Sequence, residues 1–148
     1  MPPRLQHFLV ATDGSDASNR AIDVAAEMAK STDGTLSIVN VATPLTENQK
    51  TEFKQIAGEL ADAADVLAQR TLNDAQKRAG WSGLSPSKIT AMFRWGEPTE
   101  VIIDCIVKDK VDAVVVGRRG QGRLAGLLMG SVSQKLATLS PCAVVVVP

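Results

Sequence analysis

The residues of this chain best suited to chemistry lie between Gly117 and Ser133, in the stretch GRRGQGRLAGLLMGSVS. Five of the eleven glycines, Gly117, Gly120, Gly122, Gly126 and Gly130, fall within fourteen residues there. Glycine reaches φ > 0 and lets a ligand approach backbone N–H groups, which is what a phosphate-cradling loop requires. Gly130-Ser131 stands where a helical rhythm begins. A helix N-terminus favours an anion through its free N–H groups and the positive end of its dipole. The pattern is not GxxxxGK[ST], and it is not GxGxxG; the glycines read GxxGxG and follow the fourth strand of the chain rather than the first. Glycine content alone is equally compatible with a plain surface loop. The strand before the segment and the helix after it favour an anion site.

Two further groups bear on that site. Asp13, in Thr12-Asp13-Gly14-Ser15, ends the first apolar run. A carboxylate there either holds a Mg²⁺ ion bridging phosphates, or meets ribose hydroxyls, or forms an Asx turn with Gly14. Arg118-Arg119 either adds positive charge near phosphates or is a solvated pair. Nothing in the chain reads as a Ser-His-Asp set, as paired carboxylates at one strand end or as a cysteine nucleophile. His7 opens a strand at the end remote from these loops.

These groups must be positioned by alternating strands and helices. His7–Ala11 reads as a buried strand that meets a turn, with Ser15 or Asp16 to cap the next helix. Ile22, Ala25, Ala26 and Ala29 recur at helical spacing until Gly34. Thr35–Val41 is β-branched and reads as the second strand. Thr43–Gln49 reads as a loop, and Thr51–Ala79 as the longest helix, with Gly80 as its C-cap. Lys88–Phe93 is expected as the third strand, followed by the loop Arg94–Pro98, where Trp95 has a packing role. Pro98 suits the first turn of a helix with Val101, Ile102, Cys105 and Ile106 on its apolar face. Val111–Val116, a helix over Ser131–Leu139 and the strand Ala143–Val147 complete the order βαβαβαβαβ. The first, fourth and fifth strands are continuous apolar runs, which mark a parallel sheet covered on both faces. Ligands of such sheets bind beyond the carboxyl ends of the strands.

Composition excludes several partner classes. The 148 residues hold 16 Lys+Arg and 16 Asp+Glu, so no basic nucleic-acid footprint is present. Aromatic residues are 3% of the chain, too few for a base-stacking platform. The longest apolar run, Cys142 to Val147, is far short of the ~20 residues of a membrane span. Met1-Pro2-Pro3-Arg4 precedes no apolar signal core. Cys105 and Cys142 form no CxxC and read as free thiols in a reducing compartment. A cytoplasmic protein of one domain over residues 1–148 is expected.

Gly117, two residues, Gly120, nine residues and Gly130-Ser131 together resemble the nucleotide-binding signature of universal stress proteins, G-2x-G-9x-G-[S/T]. The likeness extends over nearly the whole chain: HFLVATDGS at His7–Ser15, the strand at Ile38–Val41, the Gly96-Glu97-Pro98 turn, the strand Val111–Gly117, and Ser131–Val147. Ala11 and Ala143 depart from prolines common in the family, outside the glycine signature. The resemblance implies a three-layer, Rossmann-like fold of the adenine nucleotide alpha hydrolase kind, with a parallel five-stranded sheet in order 3-2-1-4-5. It implies ATP as ligand, with Mg²⁺ accompanying it. Ala11 and Thr12 would line the adenine and ribose side, and the backbone of Val41 would meet the adenine edge. Asp13 would touch the ligand and, through Mg²⁺, serve as a metal ligand. Val116, Gly117, Arg119, Gly120, Gly130 and Ser131 would surround the phosphates through backbone N–H groups and the Ser131 hydroxyl, continued by Val132 and Ser133. Ser131 is alternatively a plain N-cap. The implied role is an ATP-binding stress-response regulator; the alternatives are a slow ATP-hydrolysing enzyme and a ligand-independent dimeric interaction protein. In the implied order Ala143–Val147 is an apolar edge strand, so a homodimer paired on it is expected.

Overall fold

The computed structural model describes residues 4–42, 60–120 and 129–148. Five strands form one parallel sheet: β1 His7–Ala11, β2 Thr35–Ala42, β3 Ile89–Trp95, β4 Ala113–Gly117 and β5 Ala143–Val147, in order β3-β2-β1-β4-β5. Four α-helices are described: α1 Asp16–Ser31, α2 Leu60–Trp81, α3 Pro98–Lys108 and α4 Ser131–Leu139. This is the order the resemblance implied. The expected loop Thr43–Gln49, the first part of the expected Thr51–Ala79 helix, Gly122 and Gly126 lie outside the described residues.

The two-residue period of the strands sorts their side chains into two cores. Phe8 and Val10 of β1, Leu36 and Ile38 of β2, and Ala113 and Val115 of β4 pack under α1 and α2, against Ile22, Ala25, Leu72 and Ala79. Leu9, Val39, Val114 and Val116 turn to the other face and meet Ile102, Cys105 and Ile106 of α3 and Leu136 of α4. Helices therefore cover both faces. The strands β1 and β4 have fully buried interiors, whereas β5 is partly exposed over Ala143–Val146, because it lies at an edge. Each large aliphatic or aromatic side chain buried this way contributes about 1.5–3 kcal/mol.

Local chemistry sets the element ends, and several differ from expectation. Ser15 caps α1, its Oγ accepting the Ser18 amide at 3.2 Å. Gly80 does not end α2, which runs on to Trp81; the residue with positive φ is Gly83, at 93°. β3 starts at Ile89 and reaches Trp95, so the expected loop shrinks to Gly96-Glu97 before Pro98. β4 starts at Ala113 because Lys110, with φ 53°, and Val111, bonded to the Ile106 carbonyl, still belong to the turn. Asp33, in the turn after α1, pairs with Lys88, and Asp23 of α1 pairs with Arg78 of α2. Trp95 stacks edge-on against Phe93 with centroids 5.4 Å apart.

At the amino end of the sheet, Asp112 accepts the amides of Gln6 and His7 at 2.9 and 2.8 Å, and these two donors hold its carboxyl below the usual range. His7 itself is a structural link, its ring reaching the Asp109 carbonyl and the Ser37 hydroxyl. Both cysteines are free; Cys105 is buried, and burial pushes its thiol pKa up. Among the described residues no helix is long and apolar enough to cross a membrane.

Gly34 closes the turn into β2 where the chain runs against the backbone of Gln6. The Gln6 carbonyl accepts the Thr35 amide at 2.7 Å. A Cβ on Gly34 would lie 2.1 Å from that oxygen and 2.8 Å from its carbon, and backbone cannot swing aside as a side-chain tip can. Gly34→Ala is expected to destabilise the fold by about 1–3 kcal/mol, the usual cost of overpacking. Urea unfolding checks this; an unchanged midpoint would show that the turn relaxes freely.

Candidate functional site

β1 lies between β2 and β4, so the chain leaves the sheet in opposite directions beyond β1 and beyond β4. A crevice opens at the carboxyl ends of strands at such a reversal. It is a cavity of about 290 Å³, lined on one side by the β1–α1 turn and on the other by the segments that end β4 and begin α4.

The β1–α1 turn is held from within. The Thr12 amide donates to the Val39 carbonyl at 2.9 Å, and its own carbonyl accepts from Asn40 Nδ2 at 2.8 Å. The buried Thr12 hydroxyl lies 3.3 Å from Ser18 Oγ and accepts the Gly14 amide at 3.2 Å. Gly14 has φ 81°, and Asp13 Oδ1 accepts the Ser15 amide at 2.9 Å. The Asx turn therefore forms, closing on Ser15 across Gly14. It aims the carboxylate at Gly120, where a Cβ would lie 2.5 Å from Asp13 Oδ2. Any side chain at that position would push the carboxylate tip aside.

The opposite wall is organised by the Arg118 peptide. Its N–H donates to the Val147 carbonyl at 2.6 Å, and its carbonyl accepts both the Gly130 amide at 2.6 Å and the Ser133 hydroxyl at 2.9 Å. Gly130, not Ser131, is the N-cap residue of α4, and it brings no side-chain cap. With φ −71° Gly130 needs no special conformational freedom; glycine there instead lets the segment pass within reach of Arg118 and Arg119, since a Cβ would lie 3.3 Å from the Arg118 oxygen. The Gly130 N–H is committed to Arg118 and is not available to a phosphate, contrary to expectation. Gly117 has a packing role as well. A Cβ would lie 2.8–3.0 Å from the carbonyl carbon and Cβ of Ala17 and from the Ser18 amide, so its absence lets the start of α1 close over the end of β4.

The consequence is electrostatic. The first-turn amides of Ser131, Val132 and Ser133 have no intrahelical acceptor and, among the described residues, no capping side chain. The neighbouring α3 differs: Glu97 caps it, accepting from Thr99 and Glu100 at 3.2 and 2.9 Å, and these amides, Glu100 foremost, hold its carboxyl below the usual range. An anion in the crevice is thus drawn to α4. Arg119 lines the same wall, and its Nε is buried without a hydrogen-bond partner.

All of Ala11, Thr12, Asp13, Val41, Val116, Gly117, Arg119, Gly120, Gly130, Ser131, Val132 and Ser133 line this one crevice. Arg118, weighed above together with Arg119, lines it too, as do Ser15, Ser18, Val39, Pro98 and Ile102, which were not singled out as site residues. Two signals were available for them. Val39 shares a strand face with Val41, and Ile102 shares a helix face with Pro98. Trp95 and His7 are not among the lining residues. Among the described residues no three metal-ligating side chains cluster. A cation would therefore have Asp13 as its protein carboxylate, which suits Mg²⁺ held mainly by phosphate and water.

The model of the universal stress protein family matches residues 4–148. "Universal stress protein YxiE" of Bacillus subtilis is 32% identical over 146 residues, 95% of this chain and 97% of the relative. Universal stress protein UspA from Lactobacillus plantarum superposes with a TM-score of 0.82 at 23% identity, covering 99% of each chain. A crystal structure of a universal stress protein in complex with cAMP superposes with a TM-score of 0.71 at 29% identity, covering 99% of this chain and 98% of the other. With its sheet order, its glycine-spaced crevice and these matches, the chain belongs to the universal stress protein family.

Proposed function

We propose that the crevice binds an adenine nucleotide, ATP in its Mg²⁺ form, and that the protein acts as a stress-response regulatory module whose state is set by nucleotide occupancy. The observation that carries this reading is the uncapped first turn of α4 opening onto a crevice in which Arg119 holds a buried, unpartnered donor. The relative solved with cAMP supports the adenine class. Val39, Val41, Ala11 and Ile102 offer an apolar wall for the base. Asp13 faces the ribose or a Mg²⁺ ion carried by the phosphates. The amides of Ser131, Val132 and Ser133, with the Ser131 hydroxyl, take the phosphates. The Ser133 hydroxyl instead fixes the wall by donating to the Arg118 and Gly130 carbonyls.

Regulation is favoured over hydrolysis by the make-up of the crevice. Among its described lining residues Asp13 is the one carboxylate, and its Oδ1 is engaged by the Ser15 amide, so the crevice shows no histidine or second carboxylate to share general-base work. The reading also includes a homodimer. β5 is an apolar strand at the sheet edge, and antiparallel pairing with a second copy would satisfy its open backbone groups and close assembly at two.

Nucleotide binding to the folded state raises stability by about 2.7 kcal/mol at 100 times Kd. The melting temperature is expected to rise with ATP and Mg²⁺, with turnover in the same solution below roughly one per second, the floor of ordinary enzyme rates. A melting curve unmoved by millimolar ATP would contradict binding, and turnover in the ordinary range would favour the enzyme.

Sedimentation at micromolar concentration tests the dimer. Val145, half-buried at the middle of β5, becomes in Val145→Lys one of two like charges near the two-fold axis, so the variant is expected to dissociate more readily than the parent. A monomeric parent, or a variant dimer of unchanged strength, would place the interface elsewhere or remove it.

A further inference from the structure

The adjacent arginines of the β4–α4 wall differ in what they offer a ligand. Arg118 also borders the crevice, but its side chain is exposed to solvent, and its backbone N–H and carbonyl are spent on Val147, Gly130 and Ser133. Arg119 is half-buried, lines the crevice, and holds its Nε out of solvent with no acceptor. The described ion pairs are Arg78–Asp23 and Lys88–Asp33, and neither engages it. A guanidinium stays charged at all ordinary pH, so a buried N–H of this group without an acceptor is a standing cost to the ligand-free fold. That cost is recovered when an anion enters.

We propose that Arg119 is a specificity-determining residue that selects adenine nucleotides carrying a phosphoanhydride chain, the di- and triphosphates, over the cyclic monophosphate. The inference rests on the adenine nucleotide reading above. The amides of the first α4 turn can serve one phosphate in any adenine nucleotide, cyclic or linear. A cyclic phosphodiester has a single negative charge and two unesterified oxygens. The anhydride chain adds charges and oxygens, and the planar guanidinium fork of Arg119, with its Nε already held out of solvent and without an acceptor, can take two of them at once. Gly120, next in the chain, keeps the Asp13 carboxylate close to the same wall, so a di- or triphosphate between Asp13 and Arg119 would have Mg²⁺ on one side and the guanidinium on the other.

Calorimetric titration of the parent, Arg119→Gln and Arg119→Lys with ATP, ADP and cAMP tests the proposal, alongside thermal unfolding of each ligand-free protein. Arg119→Gln is expected to lose about tenfold or more in affinity for ATP and ADP, the weight of a charge-assisted hydrogen bond, while cAMP affinity stays within about threefold. Arg119→Lys keeps the charge without the fork and falls between. The ligand-free Arg119→Gln protein is expected to melt no lower than the parent, because the uncompensated buried donor is gone; a residue with only a structural role would give a lower melting temperature. An equal loss for all three nucleotides, or an ATP-to-cAMP ratio unchanged in both variants, would overturn the selectivity while leaving nucleotide binding standing. A parent that binds none of the three would overturn the underlying reading and this inference with it. If Arg119→Gln does not fold, the ratio measured with Arg119→Lys decides.

Discussion

The backbone of Arg118 is the joint on which the crevice end of this molecule depends. Its N–H holds the end of β5, and its carbonyl uses both lone pairs, one on the Gly130 amide and one on the Ser133 hydroxyl. Three elements distant in sequence, the end of β4, the start of α4 and the last strand, are fixed relative to one another by these bonds. They lie partly buried, where an unmade bond would cost about 1–3 kcal/mol, so the arrangement is strongly preferred over a loose loop. The site wall is consequently made of backbone, and its shape depends little on side-chain rotamers.

Helix electrostatics then determine where charge is welcome. α1 spends its first turn on Ser15, and α3 spends its own on the Glu97 carboxylate, which supplies negative charge from within the chain. α4 begins with glycine and supplies none. Among the three helices whose N-caps are described, α1, α3 and α4, the last is the one with the unsatisfied positive end, and it borders the crevice beside an arginine whose Nε has no acceptor. This division is the reason the glycine-spaced segment, rather than the Gly96-Glu97-Pro98 turn, is proposed as the anion-binding side.

Much of this was legible in the sequence. The apolar runs of β1 and β4 announce a sheet buried on both faces, and Gly117, Gly120 and Gly130-Ser131 mark the site through their spacing. What could not be read was which glycine does what. Gly117 is needed by the packing of Ala17, Gly120 by the approach of Asp13, and Gly130 by the Arg118 backbone at an ordinary φ. Each is a contact between segments far apart in the chain, which spacing does not encode. The ends of α2 and β3 were misplaced as well. Gly80 reads as a stop signal, but the helix runs one residue past it, and the chain turns at Gly83. The difference between Arg118 and Arg119 was equally invisible, because burial of one of two identical neighbours is decided by the wall around them.

In the proposed function, phosphate is held by the first turn of α4. Backbone amide chemical shifts followed through an ATP titration test it directly. The amides of Ser131, Val132, Ser133 and Gly120 are expected to move most, while the Gln6 and His7 amides, bonded to Asp112 at the opposite end of the sheet, stay in place. Unmoved α4 amides at saturating ATP, with the large shifts elsewhere in the molecule, would contradict it.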